Sequence, residues 1–219
     1  MKPLVLFGTG DIARLAHYYF TRDAGRTVVA FTVDAAFCTA PEYLGLPLVP
    51  FEEVAGRFPP STHDMFVALS YRDMNHLRAA KYAAAKERGY TLATYLSSRC
   101  TWLADNPPGD NCFILEDNTV QPFVTVGNDV TLWSGNHIGH DAVIEDHCFI
   151  TSHVVVSGYV RVGTRSFLGV NATLRNSITL GEQTLVGAGA IIMKDTAPRS
   201  VYLPERAKLF QKTSDEIEL

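Results

Sequence analysis

The sequence predicts two joined folds: a small α/β region with a parallel sheet, then a three-sided solenoid of very short strands. Three observations carry that expectation. Over the first ninety-odd residues, short β-rich runs alternate with helical ones. From Ile114 to Ile192 every sixth residue is Ile, Leu or Val, through fourteen positions without a failure. If roughly a quarter of residues are aliphatic, chance gives such a run with odds of about 10^-8. Pro107-Pro108-Gly109 marks the approach to the second period.

In the first region, Leu4–Phe7 reads as a strand and Gly8-Thr9-Gly10 as a tight turn. Asp11–Phe20 reads as a helix, and Thr27–Val33 as a second strand ending at Asp34. Met65–Leu69 is a third strand, Asn75–Arg88 an Ala-rich helix with Asn75 as N-cap, and Tyr90–Tyr95 a fourth strand. The spacing divides the chain into residues 1–98 and 99–219.

In the second region, the residue after the aliphatic is Gly at 127, 139, 163, 169, 181 and 187. The fifth residue of each unit is small or apolar, as in Val124, Ala142, Cys148 and Ala190. Short strands with two inward residues and a glycine-tolerant corner satisfy this pattern. Three such strands close an 18-residue coil, so residues 18 apart stack at about 4.8 Å. Nearly five coils fit between about 109 and 195, with a helical segment around Glu205–Lys212 capping the open end.

Net charge is −4, which offers no electrostatic case for nucleic acid or an anionic membrane. Leu4–Phe7 is too short for a signal or a membrane span. Cys38, Cys100, Cys112 and Cys148 form no CxxC pair and read as reduced thiols in a cytoplasmic protein.

Gly8-Thr9-Gly10-Asp11-Ile12-Ala13, with Asp34 about two dozen residues on, fits a loose dinucleotide fingerprint. The sheet is too small for a hydride-transferring domain, so the turn reads as half of such a fold, holding one nucleotide at a helix N-terminus. Gly8 and Gly10 would admit the ligand to the backbone, and Asp34 would accept from base or ribose. Ser70-Tyr71-Arg72-Asp73 either closes over the nucleotide, with Arg72 on a phosphate, or is an ordinary polar loop.

The hexads resemble the left-handed β-helix of hexapeptide-repeat acyltransferases. Phe7-Gly8-Thr9-Gly10, Ile138-Gly139-His140-Asp141-Ala142-Val143-Ile144-Glu145, Phe167-Leu168-Gly169-Val170-Asn171 and Val186-Gly187-Ala188-Gly189-Ala190 resemble one branch. That branch holds sialic acid O-acetyltransferases and nucleotide-amino-sugar N-acetyltransferases. The resemblance implies a Rossmann-like nucleotide-binding domain joined to a left-handed β-helix, a homotrimer with sites between neighbouring helices, and acetyl-CoA as donor. Gly10-Asp11-Ile12 departs from the relatives' Gly-Gly-His-like turn, and Leu203-Pro204-Glu205-Arg206-Ala207-Lys208 from their Gly-x-Pro-Ala.

Acyl transfer from a thioester needs a base for the acceptor's proton and a donor for the oxyanion. Counting by 18 stacks Pro122, His140, Gly158, Asn176 and Lys194 along one edge. His140 is therefore the expected base and Gly158 N–H the oxyanion donor, with Asp141, or else Glu145, orienting the imidazole. His147 and His153 read as exposed corner groups, and Asn118 and Asn136 as a buried amide ladder. No histidine lies about 36 residues beyond the His137–His153 cluster, so a zinc site of the γ-carbonic-anhydrase kind is not expected. Pantetheine is expected along Gly169, Val170, Gly187 and Ala188, with Lys194, Arg199, Arg206 and Lys208 as phosphate candidates. The expected activity is N-acetylation of a nucleotide-linked amino sugar for surface polysaccharide. O-acetylation of a sialic acid and a silent trimeric scaffold are the alternatives.

Overall fold

The computed structural model describes residues 1–209 and 211–217. Its first region is a five-stranded sheet in the order β3-β4-β2-β1-β5, where β1 is Leu4–Phe7, β2 Val28–Val33, β3 Glu42–Tyr43, β4 Leu46–Pro50 and β5 Asp64–Val67. β4, β2, β1 and β5 run parallel, and only β3 pairs antiparallel to β4. Alternation sorts the strand side chains onto two faces. Leu4, Leu6, Phe31 and Phe66 pack with Ala13, Ala16 and Phe20 of helix α1 (Asp11–Arg22). Val5, Phe7, Ala30, Met65 and Val67 pack on the other side with Val54 of the short α2 (Val54–Arg57) and Ala85 of α3 (His76–Glu87).

Two expectations fail here. The expected fourth strand, Tyr90–Tyr95, joins the sheet only through a bridge from Leu92 to Met65, and Tyr95–Leu96 pairs instead with Phe113–Ile114. The strand that was not expected is β4, whose Pro47 and Pro50 suggest a loop. It is tolerated because β4 lies beside the two-residue β3 at the sheet's margin, where few ladder donors are needed.

The second region is a parallel stack with three faces. Four strands form one (Thr125–Val126 to Thr179–Leu180), six another (Thr101–Trp102 to Ile191–Ile192) and seven the third (Tyr95–Leu96 to Val201–Tyr202). Partners are 18 residues apart through the body of the stack, as in His137↔Val155 and Phe149↔Phe167. This arrangement fits a left-handed β-helix. All fourteen hexad aliphatics point inward and are at most 5% exposed. Each such side chain contributes about 1.5–3 kcal/mol on burial.

The corners correct the reason for the glycines. Every sixth residue from Asn111 to Gly189 is left-handed, with φ between 54° and 79°, and only Gly135 and Gly189 among these are glycine. The expected corner glycines instead meet the coil above. A Cβ on Gly139 would stand 2.6 Å from Gly158 N, and one on Gly169 2.5 Å from Ala188 N. Space between coils, not φ, requires glycine there.

The expected helix around Glu205–Lys212 is not seen. Leu203–Leu209 has no regular secondary structure, Phe210 lies outside the described residues, and only a 3-10 turn at Ser214–Glu216 follows. Leu203 and Pro204 lie against the last coil at Gly187.

The first region rests on the seven-stranded face. Asn111 Oδ1 accepts from Val67 N at 2.8 Å, which caps the β5 edge. Arg78 of α3, 2% exposed, reaches Asp129, Thr131 and the carbonyls of His147 and Cys148.

Candidate active site

Two-residue strands joined by left-handed corners force every coil to repeat its neighbour's turn. Residues 18 apart therefore share an edge, and the His140 corner comprises 121–123, 139–141, 157–159, 175–177 and 193–195. The imidazole of His140 lies over the next coil, where a Cβ on Gly158 would stand 2.9 Å from Nε2. Nδ1 is 2.9 Å from Asp141 Oδ2, whose backbone is in the left-handed conformation at φ 59°. Gln121 Oε1 accepts from His140 N at 2.9 Å, and Tyr159 packs edge-on to the ring at 5.0 Å.

The His140 side chain is 51% exposed, so a reactant can reach Nε2. With Nδ1 on the carboxylate, Nε2 is the nitrogen left to take a proton. Gly158 N–H has no acceptor among the described residues and is free to donate. Glu145, the other candidate orienter, pairs with Arg161 and accepts from Thr164 N at a different corner. Asp141 alone holds the imidazole.

Farther along the same edge, Arg175, Asn176, Ser177, Met193, Lys194 and Asp195 line a cavity of about 610 Å³. It brings Lys194 onto the His140 edge and adds Arg175, which the sequence reading did not single out. The other residues expected along the pantetheine path, Gly169, Val170, Gly187 and Ala188, lie at the next corner with Trp133 and His153. Within one chain they do not share an edge with His140.

A second cavity, about 390 Å³, sits where the two regions meet. Gly10, Asp11 and Ile12 at the start of α1, Ala68–Tyr71 after β5, and Trp133 from the solenoid line it. Gly8, at φ +120°, approaches Ala68, where a Cβ would stand 2.8 Å from the carbonyl oxygen. A Cβ on Gly10 would meet nothing within 4 Å, so the protein itself does not require glycine there. Thr9 and Arg72 are not among the lining residues, and Asp34 is engaged by Lys81 of α3. Trp133 and Tyr71 come together from positions 62 apart in sequence, a proximity no local pattern signals.

His147 is no exposed corner group. Its Nδ1 is 2.8 Å from Asp129 Oδ2, inside the Arg78 network. Asn118 and Asn136 form the expected buried ladder, accepting from Asn136 N and Val154 N in successive coils. Among the described residues no three of His, Cys, Asp or Glu stand together as a metal site, and no helix is long and apolar enough to cross a membrane.

Residues 123–158 match the bacterial transferase hexapeptide (six repeats), and 159–194 match the hexapeptide repeat of succinyl-transferase. An acyl-[acyl-carrier-protein]–UDP-N-acetylglucosamine O-acyltransferase of Stutzerimonas stutzeri is 31% identical over 71 residues, 32% of this chain and 28% of that protein. The chain thus spans under a third of that relative's length. Among solved structures, perosamine N-acetyltransferase from Caulobacter crescentus, in complex with CoA and GDP-perosamine, superposes with a TM-score of 0.81 at 23% identity. That match covers 92% of this chain and 93% of the other. The acetyltransferase domain of PglB from Neisseria gonorrhoeae gives 0.78 at 20%, covering 92% and 96%. At these identities the likeness is one of fold. Residues 123–194 thus match hexapeptide-repeat models of bacterial transferases, and a UDP-N-acetylglucosamine O-acyltransferase is similar to 71 residues of the chain.

Proposed function

We propose that the protein transfers an acetyl group from acetyl-CoA to the amine of a nucleotide-linked amino sugar for surface polysaccharide. The observation that carries this reading is His140, held by Asp141 and laid over the bare backbone of Gly158. The sugar amine attacks the thioester carbonyl as Nε2 of His140 accepts its proton. Gly158 N–H donates to the tetrahedral oxyanion, and collapse expels CoA, which leaves as the thiol with the proton from His140. Arg175 and Lys194 supply positive charge for the CoA phosphates farther along the edge.

The nucleotide occupies the cavity at Gly10–Ile12, Tyr71 and Trp133, where the N-terminus of α1 favours phosphate. Gly8 and Thr9 shape the turn behind it, and Arg72 follows the lining residue Tyr71. Trp133 and His140 sit at different corners, seven residues and about 20 Å of strand and turn apart. A homotrimer that sets one chain's His140 corner against its neighbour's Gly169–Val170 and Gly187–Ala188 corner joins both halves of the site. Support for the sugar and donor comes from the neighbours of similar fold that were solved with CoA and GDP-perosamine.

Thiol release from acetyl-CoA, followed across UDP-, dTDP-, GDP- and CMP-linked amino sugars and a free sialic acid, tests the proposal. Turnover with a nucleotide amino sugar is the expected result. Turnover with sialic acid alone would favour O-acetylation, and none with any acceptor would favour a scaffold.

A further inference from the structure

The loop between β5 and α3 enters its helix through three successive left-handed residues: Asp73 (φ 52°), Met74 (φ 45°) and Asn75 (φ 67°). None is glycine, so something outside the loop must hold this backbone. The holder lies on the solenoid. Asn75 is fully buried, and its Nδ2 donates to the carbonyls of Arg165 at 3.1 Å and Ser166 at 3.4 Å. The adjacent His76 has Nε2 3.1 Å from Gln183 Oε1. Asn75 stands at the N-cap position of α3, as expected, but its side chain makes no capping bond there.

The other end of the same turn faces the substrate cavity. Asn75 N donates to Tyr71 O at 3.3 Å, and Tyr71 lines the cavity beside Ser70. The Tyr71 ring rests on Phe149 and Phe167, with centroids 5.0 Å and 4.7 Å away. Both phenylalanines belong to the solenoid face that bears Arg165 and Ser166. The cavity thus has a wall whose position depends on the second region.

We infer that Asn75 is a positioning residue for the nucleotide-sugar: it anchors the Ser70–Asn75 turn to the solenoid and so sets Tyr71 against the bound substrate. This rests on the cavity being the nucleotide site. Asn75→Gly tests it, because glycine keeps the left-handed backbone and removes both donors. In this variant, KM for the sugar rises roughly tenfold, while kcat and KM for acetyl-CoA stay near wild type. Amide exchange at 71–76 accelerates with the melting temperature of the whole chain little changed. Unaltered exchange together with an unaltered sugar KM would overturn the inference. So would an equal loss in kcat and both KM values, which marks a general folding defect. If the wild-type protein turns over no nucleotide sugar, the substrate reading fails instead. The anchor is then judged on exchange alone, and unchanged exchange in Asn75→Gly sinks it.

Discussion

His140 and His147 are one corner apart, and each holds an aspartate oxygen through Nδ1, at 2.9 Å and 2.8 Å. Their surroundings are opposite. The His140 side chain is 51% exposed and lies over glycine, whereas His147 is 16% exposed and shares Asp129 with a buried Arg78. A histidine–carboxylate pair is therefore not a sign of catalysis in this fold. What separates the two is the next coil: Gly158 leaves Nε2 of His140 open to a reactant, while the His147 corner is covered by α3. In the proposed mechanism the first pair moves a proton, whereas the second joins the two regions.

Exchanging losses between the pairs sharpens the contrast. His140→Ala should lower kcat/KM by about 10²- to 10⁴-fold with no change in melting temperature, seen by thiol-release kinetics beside thermal denaturation. Asp129→Ala should do the reverse. It strands Arg78 in the interface, and the cost is about 3–5 kcal/mol, measured by urea unfolding, with turnover retained by the folded fraction. Gly158→Ala puts a methyl where the acyl group must pass and should cost about ten- to a hundredfold in turnover. Its stability should fall little, because the methyl meets a movable ring. His147→Ala removes one hydrogen bond and should cost about 1 kcal/mol of stability, leaving kcat unchanged. Smallest of all, Gly10→Ala should leave stability within about 0.5 kcal/mol and weaken nucleotide binding, read by titration against Trp133 fluorescence.

Much of this contrast was legible before the structure. The hexad count placed Gly158 next to His140, because a strictly periodic solenoid turns sequence separation into spatial stacking. The same arithmetic placed Arg165 beside His147 but gave no hint of Arg78, which arrives from a helix 69 residues earlier. Trp133 and the anchoring role of Asn75 were missed on similar grounds, as the docking of one region on the other has no period to read. The corner glycines were recognised for the wrong reason, since crowding between coils leaves the same residue as a turn needing positive φ. Pro47 and Pro50 hid β4, and the β-rich run Tyr90–Tyr95 drew a strand into the wrong sheet, because edge pairing is decided by tertiary contacts rather than propensity. The Gly8–Gly10 turn and the helix that starts at Asp11 read correctly from local signals alone.

Chemical rescue tests the role of His140 most directly. In His140→Gly, added imidazole should restore thiol release in proportion to its neutral form, and should do nothing for His147→Gly. Full turnover by His140→Gly without imidazole would show that the proton is taken elsewhere, and the catalytic account would fall.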